Sequence, residues 1–256
     1  MHGIKREPCG GDGMRENSVN RERARRVDES LRRCYGERPW EPRFEGLLDG
    51  LVHTILSQNT SDTNSHLAFR RLKENFPSWE DAAAAGRAEI EEAIRPGGIS
   101  RVKAARIAEL LRRVQRDFGS LCLAPLRDME PQAALEYLMD IPGVGRKTAA
   151  VLLLFQLGRP YFPVDTHVLR VGKRLGLIPE RAGPGVAHEV MDAAVPDDIK
   201  YSLHLNMVEH GRKVCRARNP LCGQCCLRDV CPDAGKAGSA AGEGKGGKAG
   251  GRKSVK

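Results

Sequence analysis

Cys215, Cys222, Cys225 and Cys231 lie in the stretch CRARNPLCGQCCLRDVC, with six, two and five residues between successive members. Thiolates are soft ligands, and four in one short segment can wrap a single metal centre. The close pair Cys222 and Cys225 puts two sulfurs on one turn, and the longer arms close the cage. Zinc and a cubane iron–sulfur cluster both accept four cysteines. The spacing departs from the paired C-x2-C of common zinc ribbons, which favours iron–sulfur. Cys226 disturbs neither interval and reads as a bystander.

The second chemical signal is LMDIPGVGRKTAAVLLL, residues 138–154. An amphipathic helix is expected to end near Asp140, PGVG to turn tightly, and an apolar helix to begin at Arg146. Gly143 and Gly145 can both take positive φ, which lets backbone N–H groups converge on one point. That point sits at a helix N-terminus, where a phosphate oxygen binds well. This is the helix-hairpin-helix form, and it positions a protein on a nucleic acid backbone without reading bases. Gly143, Gly145 and Arg146 are its candidate contacts. Arg212, Lys213, Arg216, Arg218 and Arg228 crowd the cysteine loop. A metal-stiffened loop could present such cations, Arg216 and Arg218 above all, to phosphates; a solvated face is the bland alternative.

Lys147 falls in the first turn after the hairpin. The field of a helix N-terminus disfavours an ammonium there, and partial burial acts in the same direction. Both free a fraction of the amine as a nucleophile; the alternative is a second phosphate-binding cation. Asp165, in GRPYFPVDTHVLRVGKRLGL, stands directly before a helix and would cap it, worth about 1 kcal/mol. The helix 147–157 is about 16 Å long, and residues 158–165 can reach roughly 26 Å when extended. The carboxylate can therefore return to face the amine across a cleft.

These groups need rigid carriers, and the chain supplies helices. Apolar residues recur at helical spacing in 44–56, 102–114, 131–140, 147–157, 167–177 and 201–211, while period-two alternation is nearly absent. The reading is an all-α protein of about ten short helices, in a chain long enough for one large domain or two small ones. Residues 233–256 read as a disordered basic tail, Gly/Ala/Lys-rich and without large apolar runs, and residues 1–24 as an equally loose, disordered N-terminal arm. The net charge of +9 suggests a polyanionic partner, although most of the excess lies near the two ends of the chain. No run of eighteen apolar residues suggests a membrane span. The first residues carry no apolar core of a secretory signal, so a cytoplasmic protein is expected (nucleoid-associated in a prokaryote), with its cysteines reduced or metal-bound.

Taken together, PGVGRKTA, then VDTH with its aspartate eighteen residues after the lysine, then HGRKVCRARNPLCGQCCLRDVC resemble the endonuclease III family of DNA glycosylase/AP lyases, the iron–sulfur type of the helix-hairpin-helix superfamily. The resemblance covers roughly residues 44–232. It implies a two-domain all-α architecture, with a six-helix domain at 44–158. A second domain of 25–43 plus 159–232 would hold a [4Fe–4S] cluster on Cys215, Cys222, Cys225 and Cys231. It implies a monomer that acts on double-stranded DNA bearing a damaged base or an abasic site. Lys147 takes the place of the nucleophilic lysine and Asp165 that of the catalytic aspartate. The implied reaction excises a damaged, oxidised pyrimidine and cuts the abasic strand by β-elimination in base excision repair. The loop LSQNTSD stands where the family has a residue that fills the gap left by a flipped base. Matching Q-x-T selects Gln58, the preferred choice, and matching the final aspartate selects Asn59. Ile99, in PGGISRVKA, stands where an apolar side chain wedges into the opposite strand; a core isoleucine is the alternative. Two other functions share parts of the pattern. A monofunctional adenine or mismatch glycosylase would usually lack a lysine at 147. A non-enzymatic helix-hairpin-helix DNA-binding protein would not need Lys147 paired with Asp165.

Overall fold

The computed structural model describes residues 11–234. The expected tail from residue 235 onward and residues 1–10 of the expected arm lie outside the described residues. Eleven α-helices are found among the described residues, joined by short loops and 3-10 turns, with no strand. They are α1 (Gly11–Tyr35), α2 (Leu47–Ser57), α3 (Asp62–Asn75), α4 (Trp79–Ala85), α5 (Arg87–Ala93) and α6 (Ser100–Phe118). There follow α7 (Pro131–Met139), α8 (Arg146–Leu157), α9 (Thr166–Arg174), α10 (Pro184–Ala194) and α11 (Lys200–Lys213). The all-α reading holds.

Buried apolar side chains form two separate clusters. The first is drawn from one continuous stretch of chain, with Leu51, Ile55, Ile107, Leu111, Leu138 and Leu153 near its centre. The second joins Val27 and Leu31 of α1 to Phe162, Val171, Met191, Leu203, Met207 and Leu227. In α1 this corrects the sequence reading: residues 11–24 of the expected disordered arm belong to a helix. From residue 18 onward, where side chains of α1 are described, its buried apolar residues are Ala24, Val27 and Leu31. That stripe is too narrow to stand out in so polar a helix. Arginines fasten it as well: Arg23 Nη1 donates to the Gly176 carbonyl at 2.9 Å, and Arg25 pairs with Asp198 at 2.9 Å.

The segment between α1 and α2 is pinned to α8. Trp40 Nε1 donates to the Leu154 carbonyl at 2.7 Å, and Gln156 Oε1 accepts from the backbone N–H groups of Arg43 and Phe44. Helix α8 then ends at Gly158, whose left-handed φ of 63° suits glycine. Between α8 and α10, Lys200 is buried and donates Nζ to the carbonyls of Pro160 and Asp192 at 2.7 and 3.0 Å. The Lys200 bonds fasten α11 to α10 and to the connection after α8, and a cleft lies between the two clusters, lined from α2, α8 and α11.

Truncating the fully buried Leu31 removes contacts that tie α1 to the second cluster. Leu31→Ala is expected to lower stability by about 2–5 kcal/mol, read as a clear fall in Tm. An unchanged Tm would mean that α1 contributes little to that core.

Candidate active site

The hairpin between α7 and α8 is anchored by Ile141 and Val144, both buried. Gly143 has φ of +86°, a conformation that favours glycine, and a Cβ there would meet Arg106 Cδ at 2.5 Å and force that side chain to move. Gly145 departs from the expectation of positive φ. It is extended (φ −87°, ψ 174°) and serves as the N-cap of α8. It supplies no side-chain cap, and nothing lies within 4 Å of where its Cβ would be. The first N–H groups of α8 are thus left for an outside acceptor.

The Arg146 guanidinium pairs through Nη2 at 2.8 Å with Asp192 of α10, whose other oxygen accepts from the Phe162 amide. Arg146 therefore ties the hairpin to the second cluster. Gln58 is occupied too. Its Nε2 donates to the Gly143 carbonyl and to Thr148 Oγ1, each at 3.2 Å, while its Oε1 accepts from Arg106 at 2.7 Å. A gap-filling Gln58 would have to abandon all three bonds. Its neighbour Asn59 is exposed and left-handed (φ 53°). Ile99 is 53% exposed with φ of 50°, which excludes the core alternative. Arg216 and Arg218 are exposed on the cysteine loop, and Arg216 Nε is bonded to the Lys213 carbonyl.

Lys147 and Asp165 line one cleft of about 1160 Å³, together with Thr54, Ser57, Asp62 and His204. Lys147 is reachable from the cleft mouth, but the surrounding walls strip water from it. That desolvation lowers its pKa from the ordinary lysine value, while the charges of Asp165 and Asp62 oppose the shift. Asp165 Oδ1 accepts from the Val168 amide at 2.7 Å, so the residue caps α9 and presents its carboxylate to the cleft. Buried His204 donates Nδ1–H to the Pro163 carbonyl at 2.9 Å, and burial pulls its pKa down to about 4. It is a neutral wall beside the two charges. The sequence reading gave Asp62 and His204 no role. Asp62 meets Arg212 at 3.0 Å across the cleft mouth, a pairing that neither residue's local context announces.

Cys215, Cys222, Cys225 and Cys231 line one cavity of about 280 Å³, with Val171, Leu175 and Leu227 as apolar walls. Four thiols around one such cavity are a donor set that a cubane iron–sulfur cluster accepts. Hydrogen-bond donors suited to ligand sulfurs are present: Arg174 Nη1 lies 3.2 Å from Cys215 Sγ, and His210 Nε2 lies 3.4 Å from Cys225 Sγ. Arg174 also donates to the Arg216 and Ala217 carbonyls, shaping the loop from beneath.

Residues 52–196 match the family model of the HhH-GPD superfamily base excision DNA repair proteins. The chain belongs to that superfamily. Residues 215–231 match the iron–sulfur binding domain of endonuclease III, so the HhH-GPD protein described here is of the endonuclease III type and its cysteine cavity is a [4Fe–4S] site. Endonuclease III of Thermotoga maritima is 35% identical over 181 residues, 71% of this chain and 80% of the relative. That of Synechocystis sp. is 33% identical over 223 residues, 86% of this chain and 97% of the relative. A candidate DNA glycosylase of Arabidopsis thaliana is 41% identical over 175 residues, 68% of this chain but only 59% of that longer relative. A solved structure of a trapped endonuclease III–DNA covalent intermediate superposes with a TM-score of 0.70 at 28% identity, covering 84% of this chain and 97% of that one. The chain is thus a DNA glycosylase of the HhH-GPD superfamily. No described helix is long and apolar enough to cross a membrane.

The purified protein is expected to be yellow-brown, with iron and sulfide at about four each per chain. Cys222→Ser should bleach the colour and lower the iron content. Stoichiometric zinc without iron in the unaltered protein would contradict the cluster assignment.

Proposed function

We propose that this protein is a bifunctional DNA glycosylase/AP lyase, with Lys147 as nucleophile and Asp165 as its electrostatic partner. The observation that carries the reading is the joint presence of both side chains in one cleft, where desolvation lowers the Lys147 pKa. A lysine whose amine is partly freed of its proton, and still open to a large ligand, suits covalent catalysis. A cation meant only to bind phosphate has no need of such a setting.

The substrate is duplex DNA with an oxidised pyrimidine or an abasic site, and the protein acts as a monomer. The damaged nucleotide leaves the stack so that its C1′ can enter the cleft. The neutral Lys147 amine forms a bond to C1′ as the C1′–N bond breaks, and the base departs with that electron pair and takes up a proton. The Asp165 carboxylate offsets the positive charge that develops on the sugar. Opening of the sugar ring gives an imine between Lys147 and C1′. Loss of a 2′ proton then expels the 3′ phosphate by β-elimination, and water releases Lys147 by hydrolysing the imine. Asn59, rather than the fully engaged Gln58, fills the gap left by the flipped base, and Ile99 wedges the opposite strand. The hairpin amides at Gly143 and Gly145, with Arg216 and Arg218, hold phosphates. The two buried clusters correspond to a domain at 44–158 and a second of 25–43 plus 159–232, with the DNA lying across the cleft. Through the cluster, the second domain holds the cysteine loop in a fixed shape.

Borohydride should trap the protein covalently on a lesion-containing strand, and Lys147→Gln should abolish both trapping and cleavage while sparing DNA binding. Undiminished trapping would assign the nucleophile elsewhere. Asp165→Asn isolates the charge, because asparagine caps a helix about as well as aspartate. It should slow turnover by about 10²-fold or more at unchanged Tm; full activity would reduce Asp165 to a cap.

The pH dependence follows from the same cleft. The deprotonated amine attacks, so the single-turnover rate should rise as pH climbs through the Lys147 pKa and level off below the ordinary lysine range. Asp165 raises that pKa, so Asp165→Asn should move the midpoint to lower pH. A shift to higher pH would refute the pairing.

A further inference from the structure

Lys103 is a buried lysine on α6, 2% exposed, and the reaction described above makes no use of it. Its Nζ donates to two backbone carbonyls, Leu56 at 2.7 Å and Gly97 at 2.9 Å. Leu56 lies in the last turn of α2, where carbonyls have no partner within the helix and the dipole favours a cation. Gly97 closes the 3-10 turn Arg95–Gly97. Burying an ammonium is costly unless its donors are matched, so a lysine in this place fixes direction and distance in a way that an apolar side chain would not.

What those carbonyls adjoin gives the bonds their meaning. Three positions on from Leu56 is Asn59, and two on from Gly97 is Ile99. They are two of the three non-glycine residues with positive φ among the described residues. Asparagine enters this region more readily than most residues, whereas a β-branched isoleucine does so only where the surroundings enforce it. The Lys103 amide also donates to the Ile99 carbonyl at 3.1 Å. One turn further along α6, Arg106 holds Gln58, beside Asn59, at 2.7 Å.

We propose that Lys103 is a positioning residue: its ammonium sets the spacing between Asn59 and Ile99, so that the gap filler and the wedge enter the duplex as one unit. The inference rests on the reading of Asn59 and Ile99 as inserting residues. Without the strut, the two loops would open the duplex independently, and each would bear its own cost of ordering.

The test uses the full-length holoprotein, with Tm and visible absorbance as checks on folding, and a duplex containing a tetrahydrofuran abasic analogue as probe. Lys103→Met should weaken binding to that probe by about tenfold or more, leave binding to undamaged duplex nearly unchanged, and leave borohydride trapping on single-stranded abasic DNA intact. A double-mutant cycle supplies a readout that a general loss of stability would not move. Ile99→Ala should cost clearly less in the Lys103→Met background than alone. A milder variant perturbs the same carbonyl while keeping the ammonium: in Gly97→Ala the new Cβ would lie 3.0 Å from Ala68 Cβ. It should give the same pattern at smaller size, and it decides the matter if Lys103→Met does not fold. Equal losses on damaged duplex, undamaged duplex and single strand, or strictly additive effects, would overturn the proposal. If Ile99→Ala and Asn59→Ala alone left probe binding intact, the insertion reading itself would fall, and the strut with it.

Discussion

An ammonium gives up its proton more readily where water solvates it poorly, and Lys147, as the proposed nucleophile, has to meet that condition while staying open to a bulky ligand. A fully buried lysine would be inaccessible, and a surface one would stay charged. A cleft between two packed bodies satisfies both demands, and the tertiary bonds of this chain are spent on keeping that cleft at one width. Trp40, before α2, and Gln156, on α8, bind the segment between α1 and α2 to α8, Lys200 closes the far side, and Arg146 with Asp192 ties the hairpin to α10. Asp165 and Asp62 oppose the desolvation, so the amine's basicity is a balance between wall and charge rather than the product of either.

A second layer of order surrounds the cleft mouth. The loops at 58–59, 97–99 and 142–145 come from distant parts of the chain, yet all three meet the first two turns of α6. Lys103 holds two carbonyls there, and Arg106 both grips Gln58 and lies under Gly143. Residues with strained backbones thus sit on a helix whose own packing is apolar and deep, with Ile107, Leu110 and Leu111 fully or almost fully buried. Rigid support beneath exposed, strained tips is what an interface needs if it is to deform its partner rather than itself.

Much of this was legible where the signal is local. Cysteine spacing and the PGVG turn state their chemistry within a few residues, and helical periodicity announced most of the α-helices. Legibility ended where a neighbour distant in sequence decides. Gly143 and Gly145 look alike in the chain; only Gly143 has Arg106 beneath it, and only Gly143 has positive φ. Gln58 and Asn59 are adjacent amides, separated by bonds that one makes to Gly143, Thr148 and Arg106. The partner of Arg146 was not legible, because nothing near it in the chain foretells Asp192. The first half of helix α1, before residue 25, went unread because few apolar residues anchor so polar a helix, and Lys103 because its letter is that of any surface lysine.

Helix α1 also bears on the order in which the molecule can assemble. The first cluster draws on one unbroken stretch of chain and can close as soon as that stretch has left the ribosome. The second cannot, because its opening helix waits for partners far downstream: Arg23 reaches Gly176, 153 positions later, and Arg25 reaches Asp198, 173 positions later. During synthesis α1 therefore spends a long interval as an exposed polar segment with a few apolar residues, a composition that keeps it soluble while it waits. The amine-bearing half of the cleft can therefore be complete before its opposite wall, with Asp165 and His204, exists.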